Sequence, residues 1–364
     1  MKIAIVAPLV AAIREPQRGG SQAFVSDLAR GLAGRGHGVH VYAASGSQIP
    51  EAEVIDTGID PESLAATLYR ASGAAAPDPA PAEAAFGSVY ARVRGTRYDV
   101  VHNHAFDAPA ITLAAGLDAP VVHTLHLPPD RAVAAALRYA EKRGKPPAVA
   151  AVSASQVRAW RQAVRVDTIL PPLVPTASIA WSPSPGEGAV FAGRLSPEKG
   201  AAEAIDIARA AGIPVEVFGD LYDPGYAREQ IGPRAAQPGV AVRRAVPRAS
   251  LWAAMARAAV VLYPAGWEEP FGMAAAEAQA CGTPVVAFRC GALSEVICDG
   301  LTGFLVPPGD LQAAVGAVGR VAGISRAACR RHAEAHLDLA RSLDAHERLY
   351  RRMAGHGNGG RASA

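Results

Sequence analysis

The sequence predicts an α/β fold with two domains, each built on a parallel sheet. Short apolar runs alternate with helical patterns along the chain, and a stretch rich in proline and glycine interrupts that alternation midway. The length of 364 residues also exceeds what a single hydrophobic core usually serves. Because strands of parallel sheets are buried on both faces, we expect helices to cover both sides of each sheet.

Seven apolar runs predict the strands of the first domain, residues 1–170. An amphipathic helical pattern over residues 21–35 separates the first two runs and stops at Gly36. Residues 71–85 are rich in alanine and proline and are expected to form an exposed loop. The predicted strands are residues 3–7, 39–43, 54–56, 100–102, 121–124, 149–152 and 168–170.

The second half begins with an interdomain linker, residues 171–188, in which proline and glycine recur without periodicity. Residues 189–332 predict a second sheet domain. Residues 333–353 carry a helical pattern, and residues 354–364 have the composition of a disordered tail. The predicted strands of the second domain are residues 189–192, 215–218, 240–243, 259–262, 285–288 and 304–306.

The composition indicates which kinds of molecule the protein could bind. Lys plus Arg outnumber Asp plus Glu by only 36 to 33, without a basic tract, which argues against nucleic acid. No apolar segment reaches about 18 residues, so no integral membrane segment is predicted. We therefore expect a cytoplasmic protein, a monomer or homodimer, that acts on small molecules.

The most informative stretch places two carboxylates, Glu269 and Glu277, on either side of a predicted helix start. A run of strong helix formers follows Gly272, so the backbone N–H groups of Phe271, Gly272 and Met273 should point outward toward a ligand. One turn into the helix, Glu277 could accept two hydrogen bonds from a vicinal diol such as a ribose. An isolated pair of glutamates would more often be solvated side chains, so their context decides the interpretation.

Two cations follow the first strand of the second domain. Arg194 and Lys199 stand five residues apart after Gly193, and a guanidinium with an ammonium is the complement that a diphosphate requires. The pair Gly19-Gly20 lies between the first strand and the first helix, where backbone can approach a phosphate or sugar closely. It lacks the G-x-G-x-x-G spacing of a dinucleotide site.

Four histidines, His102, His104, His123 and His126, end two neighbouring predicted strands. Several imidazoles at one sheet edge could suggest a metal, but no cysteine or carboxylate pair completes a ligand set. No Asp-x-Asp occurs either. We predict no metal site.

The residues from Trp267 to Val286 resemble the Glu-x7-Glu motif of glycosyltransferase family 4, a large retaining family with the GT-B fold. GT-B proteins have two Rossmann-like parallel-sheet domains that face each other across a cleft. By the resemblance, the first domain binds the acceptor and the second binds the nucleotide sugar. The last helix, residues 333–353 here, is expected to cross back onto the first domain. The segment around Arg194 and Lys199 resembles the G-R-L-x-x-x-K-G signature of the same family. The resemblance spans nearly the whole chain. One departure is Trp267-Glu268, which is bulkier than the serine-containing loop common in front of Glu269.

By this resemblance, Glu277 binds the nucleotide ribose, and Glu269 holds the donor hexose together with the three backbone amides named above. Arg194 and Lys199 neutralise the leaving diphosphate, and His126 contacts the donor sugar. The glycine pair of the first domain lines the cleft beneath the donor phosphate. Catalysis would then rest on positioning and electrostatic preorganisation, without a protein nucleophile.

The resemblance implies a metal-independent retaining glycosyltransferase that needs no cofactor and uses a nucleoside-diphosphate sugar. A UDP-sugar is the expected donor, with GDP, ADP and dTDP open. The acceptor would be a small molecule or a glycan, as in natural-product or small-glycoside biosynthesis. A sugar-nucleotide epimerase or hydrolase and a catalytically silent sugar-nucleotide-binding subunit remain alternatives, and an NAD oxidoreductase ranks last because the glycine fingerprint is absent.

Overall fold

The chain forms two compact units, each built on one parallel sheet. The computed structural model describes residues 1–67, 78–143 and 146–358. The first unit comprises residues 1–14, residues 21–171 and the chain from Ser342 onward. The second unit comprises residues 15–20 and residues 172–341.

The sheet of the first unit has seven parallel strands in the order β3-β2-β1-β4-β5-β6-β7. The strand order reverses between β1 and β4, the arrangement of doubly wound α/β folds. Ile3, Ile5 and Val101 are fully buried because helices cover both faces. The strands are β1 Lys2–Val6, β2 Gly38–Ala43, β3 Glu53–Asp56, β4 Val100–Asn103, β5 Val121–Leu125, β6 Ala148–Ala151 and β7 Thr168–Ile169.

One helix of the first unit contradicts the sequence analysis. Residues 80–85 were expected in an exposed loop, but they begin helix α2, which buries Phe86 and Tyr90. Proline is tolerated in the first helical turn and alanine is the strongest helix former, so the composition suits a helix start. Residues 71–77 lie outside the described residues. The helices are α1 Gly20–Gly34, α2 Ala80–Arg94, α3 Ala108–Ala114, α4 Arg131–Glu141 and α5 Ala154–Trp160.

The sheet of the second unit has six parallel strands in the order β10-β9-β8-β11-β12-β13, with its reversal between β8 and β11. Its strands are β8 Ala189–Ala192, β9 Val215–Phe218, β10 Val240–Arg243, β11 Val260–Tyr263, β12 Val285–Phe288 and β13 Gly303–Val306. Its helices are α6 Ala201–Ala210, α7 Pro224–Tyr226, α8 Gly232–Ala235, α9 Arg248–Arg257, α10 Met273–Ala280, α11 Leu293–Val296, α12 Leu311–Val318 and α13 Arg326–His332.

Among the described residues, each of the thirteen strands lies within two residues of its predicted position. The two sheets are parallel throughout, and helices follow the strands as the alternation indicated. The prediction of two Rossmann-like parallel-sheet domains is confirmed.

The helical pattern over residues 333–353 is not one helix. A π-helical turn, Ala333–Leu337, ends at Asp338, whose backbone is extended, and the last helix, α14 Leu339–Asn358, begins after it. Val174 causes the break, because its N–H donates to Leu337 O at 2.9 Å and its carbonyl accepts from Leu339 N at 2.8 Å. Helix α14 also runs past Gly355 into the segment expected to be disordered.

Helix α14 completes the core of the first unit. Leu343 packs so closely on α1 that a Cβ at Gly31 would lie 2.6 Å from its Cδ1. The Tyr350 hydroxyl lies 2.5 Å from Nδ1 of His102 on β4. Glu347 Oε1 lies 2.9 Å from Nε2 of His37, and both side chains are largely buried.

Candidate functional site

The candidate site lies at the carboxyl ends of β8 and β11, where the strand order of the second sheet reverses. Open α/β sheets bind ligands at this point because the loops diverge and leave a crevice. The loop after β8 carries Arg194 and Lys199, and the loop after β11 carries Glu269. The fold therefore brings together residues that stand about 70 positions apart in sequence.

Three donors hold the carboxylate of Glu269. Lys199 Nζ donates to Oε2 at 2.7 Å and Trp267 Nε1 donates to the same oxygen at 2.8 Å. The Tyr263 hydroxyl also hydrogen-bonds this carboxylate. The Lys199 ammonium lies 4.5 Å from the centre of the Trp267 ring, a cation–π contact. Trp267, which departs from the resembled motif, thus forms one wall of the site.

Tyr263, the last residue of β11, lies near the charged side chains of Arg194, Glu269 and Glu277. Burial and the neighbouring carboxylates of Glu269 and Glu277 raise the pKa of its hydroxyl well above its ordinary value, against an opposing effect of Arg194. The hydroxyl therefore stays protonated and serves as a hydrogen-bond donor. The sequence predicted no role for Tyr263, which follows the predicted strand of residues 259–262.

Two glycines let the loops of the site approach one another. Gly200 adopts φ +77°, and a Cβ there would lie 2.1 Å from the carbonyl oxygen of Pro264. Gly291 adopts φ +55° against the backbone of Glu269, where a Cβ would come within 2.2 Å of its oxygen. Only glycine fits either position, so the backbone around Lys199 and Glu269 is fixed by close packing.

Helix α10 begins where the sequence predicted it. Gly272 precedes it with φ +99°, and Gly282 ends it in the left-handed conformation with φ +80°. The first N–H groups of a helix have no partner within it, so this end carries a partial positive charge that suits oxyanions. Gly20 lies against the same end, because a Cβ there would be 3.2 Å from Met273 Cγ. Gly19 precedes it in the segment of residues 15–20, which belongs to the second unit.

Glu277 lies in the second turn of α10 and is paired with Arg248, a residue that the sequence analysis missed. Nε and Nη2 of Arg248 donate to Oε1 of Glu277 at 3.1 and 3.0 Å. Both side chains are about nine-tenths buried, with 10% and 8% of their surface exposed. No local pattern connects positions 248 and 277, since the contact joins the start of α9 to α10.

Arg194 is held within its own loop. Its Nη2 lies 3.4 Å from Oε1 of Glu198, which also accepts a hydrogen bond from Ser196 Oγ at 2.7 Å. The guanidinium stacks on the Tyr222 ring, 4.4 Å from its centre. The backbone at Gly193 is tightly enclosed, because a Cβ at Gly219 would lie 1.9 Å from the Gly193 carbonyl oxygen.

His126 lies in the first unit, after β5, and belongs to a cluster of stacked imidazoles. Its Nε2 lies 2.9 Å from Nδ1 of His104, whose ring centre is 4.0 Å from that of His102. His346 of α14 packs on His102 with ring centres 5.5 Å apart. Burial lowers the pKa of His126 and of His346 to about 4 each. These rings are therefore neutral near pH 7.

His123 of β5 is also buried, and its Nδ1 lies 3.1 Å from Nδ2 of Asn103. Within the described part of the chain, no group of three or more His, Cys, Asp or Glu side chains has a geometry that could hold a metal ion. The structure thus brings Arg194, Lys199, Glu269 and Glu277 together with the α10 terminus. It places His126 in the first unit.

The two units are doubly wound α/β domains, and the second carries a cation–carboxylate pair at the point where its strand order reverses. Comparisons with known proteins identify the family. A model described as Glycosyltransferase Family 4 matches residues 18–177, and one described as Glycosyl transferases group 1 matches residues 182–333. The chain is 30% identical over 357 residues to the D-inositol 3-phosphate glycosyltransferase of Acidothermus cellulolyticus, covering 83% of this chain and 78% of that protein. A protein of the same name from Kribbella flavida is 55% identical over 51 residues, 14% of this chain and 12% of the relative.

Solved structures support the same fold. AviGT4, a glycosyltransferase involved in avilamycin A biosynthesis, superposes with a TM-score of 0.72 at 22% identity, over 97% of this chain and 98% of that one. Anabaena HepE in complex with UDP and glucose gives 0.73 at 20% identity, over 96% and 99% of the two chains.

This chain belongs to the family 4 glycosyltransferases, and its fold is GT-B. Among the described residues, no helix has both the length and the apolar character that crossing a membrane requires.

Proposed function

We propose that this protein is a retaining, metal-independent glycosyltransferase that moves a hexosyl group from a nucleoside-diphosphate sugar to an acceptor hydroxyl. A UDP-sugar is the first donor to test. The observation that carries the proposal is the Lys199–Glu269 pair beside the amino terminus of α10, at the reversal point of the second sheet. A fixed carboxylate, a cation and a helix amino terminus suit the hydroxyls of a sugar and the oxygens of a diphosphate.

The two predicted cations have different surroundings. Lys199 is held by Glu269, whereas Arg194 stacks on Tyr222 at the same loop. As the bond between the sugar and the diphosphate breaks, negative charge grows on the departing oxygen. Cations placed in advance stabilise that charge more than they stabilise the bound donor, and this difference accelerates the reaction.

Retention follows if the acceptor hydroxyl attacks the anomeric carbon from the side on which the diphosphate departs. The new C–O bond forms as the old one breaks, and the departing phosphate oxygen takes the acceptor proton. The Glu269 carboxylate already accepts hydrogen bonds from Lys199, Trp267 and Tyr263, which makes it a poor nucleophile. Its proposed role is therefore to bind the sugar. No protein nucleophile is needed.

The acceptor is proposed from the relatives. The A. cellulolyticus relative is named for D-inositol 3-phosphate, so a phosphorylated polyol is the first acceptor class to test. Small natural-product hydroxyls form the second class, because AviGT4 takes part in avilamycin A biosynthesis.

The purified protein should be incubated with UDP-, GDP-, ADP- and dTDP-hexoses and a panel of both acceptor classes. We expect one donor to release its nucleoside diphosphate only when an acceptor is present, and NMR coupling at the anomeric proton should show retained configuration. Inverted product would refute the retaining mechanism. Free sugar released without an acceptor would favour the hydrolase alternative, and nucleotide binding without turnover on any acceptor would favour the silent subunit.

A further inference from the structure

Arg248 is the first residue of α9, and its surroundings are unusual for a cation. A positive charge at a helix amino terminus opposes the helix dipole, and burying a charge costs several kcal/mol without a partner. Here Glu277 supplies the opposite charge, and the Trp252 ring lies 4.8 Å from the guanidinium carbon. The backbone N–H of Arg248 donates to Glu15 Oε2 at 2.9 Å.

The geometry of the pair fixes the Glu277 carboxylate. Two nitrogens of one rigid guanidinium donate to the same oxygen, Oε1. Because a carboxylate is planar, holding Oε1 at the end of a buried side chain also sets the direction of Oε2. The guanidinium further offsets the charge of Glu277, so that an anionic nucleotide can approach it with less repulsion.

We propose that Arg248 is a positioning residue for nucleotide recognition, because it holds Glu277 in the orientation that accepts hydrogen bonds from a ribose diol. This inference rests on the proposed function, since it requires that Glu277 face the nucleotide. Arg248 itself need not touch the ligand. Its removal should abolish the preference for a ribose over a deoxyribose while leaving diphosphate recognition in place.

The test compares a nucleoside diphosphate with its 2′-deoxy form, using whichever of UDP, GDP and ADP binds the wild type most tightly. A diol bonded to a fixed carboxylate should favour the ribose form by about tenfold, the factor that 1.4 kcal/mol gives in a dissociation constant. In Arg248→Met the two affinities should become equal within about twofold. Isothermal titration calorimetry measures both.

Arg234→Met is the matched control. It also breaks an ion pair of the second unit in which two guanidinium nitrogens donate to one carboxylate, that of Asp206, at 3.0 and 2.8 Å. That pair joins α6 to α8 and involves no residue of α9 or α10. The control should keep the wild-type preference, so a general loss of stability cannot account for the effect.

Arg248→Lys serves if Arg248→Met does not fold, because it keeps the charge and loses the guanidinium fork. It should lower the ribose preference at least threefold. A preference unchanged in either folded variant would overturn the positioning role. A wild type that binds none of the three nucleotides would refute the proposed function instead, and the two failures are thereby distinguished.

Discussion

Replacing Lys199 by methionine should lower both the stability of the second unit and the turnover number, and a second substitution should separate the two effects. The substitution keeps most of the side-chain volume and removes the ammonium that lies 2.7 Å from Glu269. Side-chain exposures of 15% and 8% make this a largely buried pair. Removing one partner of such a pair costs about 3–5 kcal/mol, and the lower end applies because Trp267 and Tyr263 still donate to Glu269.

A loss of about 3 kcal/mol should lower the melting temperature of a unit of this size by about 6–12 °C. The turnover number should fall by about 10²-fold or more, as expected for removing one preorganised charge. Thermal unfolding measures the first effect and steady-state kinetics the second.

The double variant Lys199→Met with Glu269→Gln separates the two roles. It leaves no unpaired carboxylate in the site, so at least half of the lost stability should return, while turnover stays low. A double-mutant cycle then gives the coupling energy of the pair. Stability losses that simply add would refute the reasoning, because they would show that the two side chains do not stabilise each other.

Three further predictions follow from the backbone, the buried histidines and the composition. Gly200→Ala should lower the free energy of unfolding by more than about 2 kcal/mol, because its Cβ would lie 2.1 Å from Pro264 O. Gly212→Ala, at φ +72° with open space around it, should lower that free energy by only about 1–2 kcal/mol. Equal losses in denaturant unfolding would contradict this explanation. With pKa values of about 4, His126 and His346 stay neutral in the folded protein while the unfolded chain binds protons below about pH 6.5. As the pH falls from 6.5 to 4, each histidine should therefore lower the free energy of unfolding by about 1.4 kcal/mol per pH unit. Denaturant unfolding of His346→Gln at several pH values should show a shallower decline. EDTA should leave turnover unchanged; activity lost on chelation and restored by Mg²⁺ or Mn²⁺ would show that a metal is required.

The strands could be predicted because burial on both faces leaves a local signature. A run such as Val260–Tyr263 is apolar at every position, and a turn follows it at once. Helix α10 could be predicted for a similar reason, since Gly272 and Gly282 bound a run of strong helix formers. Such signals need only neighbouring residues.

The remaining features depend on contacts between residues that are distant in sequence. Arg248 cannot be assigned to Glu277 without the packing of α9 on α10, and the break at Asp338 depends on Val174. Helix α2 was missed for a different reason, because alanine and proline in its first turn are compatible with both a loop and a helix start. The individual roles of the predicted site residues remain predictions that the variants above would test.

Helix α14 delays the completion of the first unit until the end of the chain has been synthesised. Leu343 and Tyr350 belong to the core of the first unit, yet the ribosome makes them after the whole second unit. The growing first unit therefore lacks its last helix while the second unit is being made, and the surfaces around Gly31 and His102 stay uncovered for that time. A nascent chain that stops at residue 341 would have a finished second unit and an incomplete first one.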